Sequence, residues 1–470
     1  TLIPGISADK ADRIQQEFKR MFGMRELIAY LAQFEISPRR AMEVFRVFGP
    51  SAMQAISQNP YLLCGEPLQL DFRHADSIAQ YYHMEGDCTQ RLEAALLRTL
   101  RHNAGNGHTC LPRAQLLDTA SHFIQQPPEK LARALDHCIE TGQLGVKMLE
   151  AVPYIYLPDL LEAEQAIADR LALLAKREKQ TVRDLDKNIQ VLELTQGFAY
   201  APLQREAIRK AMTENCLVLT GGPGTGKTTT INAIIDLLEQ SGCKVALCAP
   251  TGRAAKRMSE VTGREAKTIH RLLETDFANP TSLQFKRNEK NPLNAGAVIV
   301  DETSMVDIPL MRSLICALKM NCRLILVGDS DQLPSVGPGN VLRDFIESDK
   351  VPQVRLTEIF RQAQQSLIVT NAHAIVQGRM PELHRHDNFF FLKRESPEQI
   401  KATTLDLVAK RLPKSYNYSP MTDIQVIVPT RVGAVGANTL NQSLQEVLNP
   451  PSPQKDEFEN NGRRFRVGDK

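Results

Sequence analysis

Residues 217–230 read LVLTGGPGTGKTTT, an apolar run that breaks into glycine and resumes as a segment able to be helical. The stretch Gly221–Thr228 matches G-x-x-x-x-G-K-[ST]. A strand is expected over Cys216–Thr220 and a helix over Thr228–Glu239. That order commits the region to a parallel sheet, because parallel strands must be joined by crossover helices. The glycines let backbone N–H groups turn toward an anion, and the helix N-terminus adds partial positive charge. Lys227 can then reach the β- and γ-phosphates of a nucleoside triphosphate, and the Thr228 hydroxyl can ligate Mg²⁺. Gly222, Gly224, Thr225, Gly226, Lys227, Thr228 and Thr229 are the expected ATP-binding residues of this loop.

A second apolar run, AVIV at 297–300, delivers two adjacent carboxylates, Asp301 and Glu302. Alone, such a pair could be a solvated strand end or a cap for a helix over Ser304–Leu310. Beside a phosphate loop, Asp301 is expected to hold Mg²⁺ and Glu302 to orient or deprotonate the attacking water. ATP hydrolysis is the chemistry these two segments imply.

At 470 residues the chain has room for about three domains. No apolar stretch approaches the ~20 residues of a membrane span. Nine cysteines, with no C-x-x-C pair, argue for free thiols in a reducing cytoplasm rather than a zinc site. Net charge is only +3, so any nucleic-acid track must be a local arrangement of charge. The first residue is Thr, and an N-terminal segment is expected to be missing.

Helical periodicity runs through residues 1–85, over Ala8–Phe22, Met24–Phe34, Ser37–Phe48, Ser51–Gln58 and Ala75–Tyr82. Residues 86–160 combine helices over Thr89–His102, Pro112–Phe123 and Pro128–Thr141 with a β-hairpin across Gln143–Leu157, a winged-helix-like order. Residues 161–199 hold a charged linking helix, predicted over Leu160–Lys179. From 200 to 351, strands at Cys216–Thr220, Lys244–Ala249, Ala297–Val300 and Arg323–Gly328 alternate with helices, which predicts a parallel sheet covered on both faces. A second α/β block is expected over 352–470, with strands at Asn388–Lys393 and Asp423–Val428.

Further segments specify a use for the hydrolysis. The strand ending at Ala249 leads into Pro250-Thr251-Gly252-Arg253 and a helix bearing Lys256 and Arg257, where basic and hydroxyl groups could hold nucleic-acid phosphates. A solvated basic helix face would read the same way. Lys267-Thr268-Ile269-His270 follows, and a lone histidine is usually structural. After a fourth strand comes Gly328-Asp329-Ser330-Asp331-Gln332, whose Gln332 could touch the γ-phosphate or the attacking water. Arg361, in Leu356-Thr-Glu-Ile-Phe360-Arg361, sits where a second block begins. An arginine supplied across a cleft is worth roughly 10³–10⁵ in rate.

Seven segments, TGGPGTGKTTT, APTGRAAKRMSE, KTIHRLLE, FKRNEKNPLNAGAVIVDETSMVD, VGDSDQLPSVGPGNVLRD, LTEIFRQA and VIVPTRVGAVGANTLN, resemble in this order superfamily 1 helicases, and closely the RecD-like branch. The likeness covers about 200–470. It implies two RecA-like P-loop NTPase domains, the second incomplete. The preceding region resembles the long front end of RecD-like helicases acting outside the RecBCD complex, a helix-hairpin-helix-type region followed by the winged-helix-like unit. LIPGISADKADRI, from Leu2 to Ile14, resembles a DNA-binding hairpin, although Gly5-Ile6-Ser7 lacks the usual second glycine. The stretch 59–76 lacks the glycines of a further hairpin.

The resemblance implies roles by position. Gln204 matches the glutamine that reads adenine. Pro250, Thr251, Arg253, Thr268 and His270 match DNA-binding segments of the first domain, and Pro429, Thr430 and Arg431 a DNA-binding segment of the second. Residues 277–294 match a strand-separating hairpin insertion. The implied activity is ATP-dependent 5′→3′ movement on single-stranded DNA and DNA forks, in repair or recombination. A small barrel insertion is expected to begin near Arg464, with two further segments and a second catalytic arginine beyond Lys470. Without them, this piece is expected to bind and hydrolyse nucleotide poorly. Two other readings stay open: the motor part of a relaxase or exonuclease complex, and a DNA-binding scaffold with a vestigial ATPase.

Overall fold

The computed structural model describes residues 8–276, 284–360, 364–384, 388–460 and 463–470. The chain divides into two compact units, Thr1–Gln365 with Ala372–Arg379, and Ser366–Asn371 with Met380–Lys470.

The first unit opens with α1 (Ala8–Ala32), α2 (Pro38–Phe48), α3 (Ala52–Gln58) and α4 (Phe72–Tyr81). The expected break at Gly23 does not occur, and α1 runs unbroken for 25 residues. A mid-helix glycine costs only about 1 kcal/mol against alanine. A Cβ there would sit 3.8 Å from Phe45 Cε2, an ordinary contact, so packing against α2 does not demand the glycine. Leu27, Leu31, Ile36, Val44, Phe45 and Ile56 form the core of this bundle. The glycine-poor hairpin at Gly5–Ser7 lies outside the described residues.

Next come α5 (Thr89–Ala104), β1 (Cys110–Pro112), α6 (Arg113–Ile124), α7 (Pro128–Glu140), β2 (Gly145–Leu149) and β3 (Val152–Tyr156). β2 and β3 form an antiparallel hairpin whose turn, Glu150-Ala151, carries two positive φ angles. With β1 on the other side of β3, they make a three-stranded sheet under α5–α7. The linking helix α8 (Pro158–Lys176) packs on the sheet-bearing region that follows and leads to α9 (Leu185–Gln196).

α10 (Pro202–Thr213) then leads into β4 (Cys216–Gly221), α11 (Lys227–Gln240), β5 (Val245–Ala249), α12 (Gly252–Thr262), β6 (Ala266–Thr268) and α13 (Ile269–Leu272). After a small ladder of β7 (Thr275–Asp276) and β8 (Gln284–Phe285) come β9 (Ala297–Val300), α14 (Ile308–Cys316), β10 (Arg323–Gly328), α15 (Val341–Glu347) and β11 (Gln353–Leu356). Six strands form one sheet in the order β11-β4-β10-β9-β5-β6, every neighbour parallel.

Period-two alternation explains why this sheet needs helices on both faces. Val218, Val298, Val300, Leu324 and Leu326 point into a core shared with α8, α14 and α15. Leu217, Leu219, Ile299, Ile325 and Val327 point into the opposite core, shared with α9, α10 and α11. β4, β9 and β10 are buried at every residue, as central parallel strands must be.

Three expectations are corrected. The stretch at 353–356 does not open a second block, because it pairs with β4 as the edge of the first sheet. The helix expected over Ser304–Leu310 is a 3₁₀ turn, Thr303–Met305, followed by α14 capped by Asp307. The insertion expected at 277–294 has its ladder earlier, across Thr275–Phe285, with 277–283 outside the described residues.

The second unit holds helices over Pro397–Asp406 and Ala437–Leu448 and an antiparallel hairpin, β12 (Glu457–Asn460) with β13 (Arg463–Arg466). Buried Arg466 donates to Glu457 within the hairpin at 2.6 Å and also to the Asn449 carbonyl, and Asn449 donates to Val467 O at 3.2 Å, so Asn449 at the end of the preceding helix ties the hairpin to it. The strands expected at Asn388–Lys393 and Asp423–Val428 do not form. Both segments lack ladder partners among the described residues, and a strand persists only where neighbours take its N–H and C=O groups.

Candidate nucleotide site and nucleic-acid edge

The C-terminal ends of β4, β9 and β10 bring the phosphate loop, the paired carboxylates and the Gln332 segment to one edge of the sheet, because the three strands are adjacent and in parallel register. Gly224 and Gly226 take φ of 77° and 83°, the left-handed conformation that glycine adopts without penalty, and Gly226 caps α11. Thr225 Oγ1 donates to Gly222 O at 2.9 Å, and Thr230 Oγ1 donates to Gly226 O at 3.0 Å, closing the loop on itself. Thr228 and Thr229 lie in the first turn of α11, with Thr228 exposed.

Lys227 donates to the carbonyls of Gly221 and Gly222. Burial pulls its amine below the ordinary lysine range, opposed by the carboxylates of Asp329, Glu302 and Asp301. Burial pushes Asp301 up, and Glu302 is pushed up by burial and by Asp301. Asp301 accepts from Glu302 N at 2.9 Å. Glu302 itself sits at φ 53°, ψ 41°, a conformation rare for a residue with a side chain and one that clusters at functional sites.

Gln204 is only 3% exposed. Its Oε1 accepts from Ala201 N at 3.0 Å and its Nε2 donates to Gly226 O at 3.3 Å, so it bridges the start of α10 and the loop. Gln332 is exposed and reaches Asp329 at 3.5 Å, a long contact. Arg361 lies outside the described residues; its neighbour Phe360 donates from its backbone N to Gly224 O at 3.2 Å.

Four residues at this site were not assigned from sequence. Phe360 lies against the loop, 2.6 Å from where a Cβ on Gly226 would stand. His373, on the helix Leu367–Val376, donates from Nε2 to Pro223 O at 3.2 Å, which fixes its tautomer. Asp329 is buried at the end of β10 and accepts from Asp331 N at 3.1 Å. Its signal was the parallel between Val300-Asp301 and Val327-Gly328-Asp329, carboxylates ending two neighbouring strands. Arg257, read only as part of a basic helix, lowers the pKa of Lys227, Asp301 and Glu302 through its charge.

The first-domain nucleic-acid candidates share the far end of the same edge. β5 and β6 are neighbours, with Ala249 opposite Thr268, so Pro250, Thr251 and Arg253 emerge beside Thr268 and His270. Thr251 and Thr268 cap α12 and α13, each accepting a backbone N–H at 3.2 Å. Arg253 is exposed, and the His270 ring lies 5.8 Å from that of Phe285 at the foot of the β7–β8 ladder. In the second unit, Pro429, Thr430 and Arg431 are exposed, and the carbonyls of Thr430 and Arg431 accept from Ala437 and Asn438 at the start of a helix.

Residues 204–338 match the family described as an AAA domain, and residues 20–110 match the family described as the ATP-dependent RecD2 DNA helicase HHH domain. An ATP-dependent RecD2 DNA helicase from Deinococcus radiodurans is 31% identical over 459 residues, 95% of this chain and 61% of its own length. Along nearly its whole length the chain is similar to the RecD-like helicases. A RecBCD enzyme subunit RecD from Mycobacterium tuberculosis is 38% identical over 242 residues, 46% of this chain and 40% of that protein. The RecD-like chain thus spans about three fifths of the first relative and matches two fifths of the second. A Pif1 helicase structure from Candida albicans aligns over 44% of the RecD-like chain and 55% of its own at 18% identity, with a TM-score of 0.30. None of the helices among the described residues is long and apolar enough to cross a membrane.

Proposed function

We propose that this chain carries the motor of an ATP-driven DNA helicase that moves 5′→3′ on single-stranded DNA, opens forks in repair or recombination, and works in the cytoplasm. The observation that carries the reading is the phosphate loop beside Asp301, Glu302 and Asp329 at one sheet edge, with exposed Arg253 and the half-buried hydroxyls of Thr251 and Thr268 further along it. The 5′→3′ polarity rests on family likeness alone.

ATP fits the site in parts. The loop amides and Lys227 meet the phosphates, Gln204 meets the adenine edge, and the Phe360 ring offers a face to the base. The oxygen donors Thr228 and Asp301 suit Mg²⁺, which supplies charge neutralisation at the β- and γ-oxygens when bound. Glu302, its carboxyl basicity raised by burial, takes a proton from the attacking water. Gln332 orients that water, and Arg361 meets the charge that develops on the transferred phosphoryl group. Strand grip comes mainly from phosphate contacts of Thr251, Arg253, Thr268, His270, Thr430 and Arg431, with Pro250 and Pro429 shaping the segments that present them, since the chain has no Trp for base stacking.

Lys227→Ala in the full-length protein tests the reading. DNA-stimulated phosphate release is expected to vanish, and unchanged turnover would refute the assignment. Unwinding of forks with 5′ or 3′ tails then reads polarity, with activity expected only on the 5′-tailed fork.

A further inference from the structure

The turn between α5 and β1 closes on itself through Gly105 N to Arg101 O, Gly107 N to Ala104 O and His108 N to Asn103 O. Gly107 takes φ +93°, with open space where a Cβ would stand, so the backbone conformation and not a packing contact calls for glycine. That conformation leaves the Gly107 carbonyl facing outward, and it accepts from Gly339 N at 2.9 Å.

Gly339 ends the loop that begins at Asp329 and carries Gln332. The second half of this loop is held closely against the start of α14. Ile308 N donates to Pro338 O at 2.9 Å, and Ser335 Oγ lies 2.8 Å from Gly339 O. A Cβ on Gly337 would stand 2.0 Å from Asp307 Oδ2, and one on Gly339 2.2 Å from Ile308 Cγ1. The first half is tied to β4 and β11 instead, Ser330 N donating to Thr220 Oγ1 at 3.3 Å and Arg355 pairing with Asp331 at 3.2 Å, while Leu333 is 86% exposed. The linking helix α8, which leaves this unit, packs on α14, and Arg177 just after it donates from Nη1 to Met320 O at 3.0 Å beyond the end of α14. The winged-helix-like unit and the linker that follows it therefore meet α14 at its start, through the loop, and beyond its end.

We infer that the winged-helix-like unit positions the Gln332 loop through the Gly107–Gly339 contact, and so sets the rate of the hydrolytic step. The inference rests on the triphosphate reading above. It makes the front end a regulator of turnover: a load that shifts this unit shifts the loop that orders the attacking water. Gly107 is a positioning residue, acting through Gly339 on Gln332.

The test compares Gly107→Val with Gly142→Val. Gly142 lies in the same unit, at φ +73° with open space around it, and its N–H bonds locally to Ile139 O. Both substitutions strain the unit alike, but only one meets the loop. Amide exchange across 335–341 is expected to rise at least tenfold in Gly107→Val and to stay unchanged in Gly142→Val. DNA-stimulated kcat is expected to fall about tenfold in Gly107→Val alone, with KM for ATP within about twofold. Equal exchange in the two variants overturns the contact, and raised exchange with unmoved kcat overturns the coupling. If the unsubstituted full-length protein hydrolyses no ATP, the triphosphate reading fails instead. Exchange alone then decides whether the turn holds the loop.

Discussion

Two stretches of the chain spell nearly the same phrase. VALCAPTGR, from Val245, and IQVIVPTR, from Ile424, are each an apolar run ending in Pro-Thr and an arginine. The first is β5, set between β9 and β6, with Leu247 only 4% exposed. The second is extended chain without a ladder partner among the described residues, and its Ile427 is 89% exposed. The apolar pattern is shared, and the difference lies in the neighbours. β-propensity describes fit to a half-buried pleated surface, so the same residues make a strand only where adjacent strands and a covering helix exist.

Several experiments sharpen or break this contrast. The largest effect is expected at Arg361, on the chain between the two stretches. Arg361→Ala should slow single-turnover hydrolysis by roughly 10³-fold while sparing ATP binding. Equal loss of both would remove its transition-state role. Next comes stability. Leu247→Ala should cost about 2–4 kcal/mol in denaturant unfolding, whereas Ile427→Ala should stay within about 0.5 kcal/mol. A large cost at Ile427 would mean that the second stretch is buried in solution after all.

The paired arginines give a finer comparison. Arg253→Ala and Arg431→Ala should each reduce the salt dependence of single-strand binding by about one unit of slope. A change at Arg253 alone would confine the DNA track to the first unit.

The smallest effect is in pH dependence. Burial raises the Glu302 pKa, so the native state holds its proton more tightly than the unfolded chain does. Stability from this residue is therefore greatest below the ordinary glutamate range and falls as pH rises through the raised value. Glu302→Gln should raise Tm by about 2 °C at neutral pH, and the gain should disappear in acid. No such gain is expected at an exposed carboxylate such as Glu459.

Much of the first sheet was legible because its central strands are buried on both faces and read as unbroken apolar runs bounded by glycine or acid. β9 and β10 were expected over their observed residues, and β4 to within one residue. Edge strands were harder. β6 is three residues long and half polar, and β11 has an exposed arginine at its centre, so neither carries the signal of a core strand. At the site, the loop and carboxylates announced themselves through local spacing. Phe360, His373 and Asp329 did not, because their relevance depends on which strand ends lie side by side, an order that no local window contains.

β11 carries one more implication. Its last residue pairs with Gly221, and the Leu356 carbonyl lies 2.9 Å from where a Cβ on that glycine would stand. Four residues later, Phe360 is bonded to Gly224. The covalent path out of the first unit is thus anchored twice to the hinge of the nucleotide cradle before it departs. A flexing of that cradle by a fraction of an ångström is therefore carried into the backbone from Leu356 to Phe360.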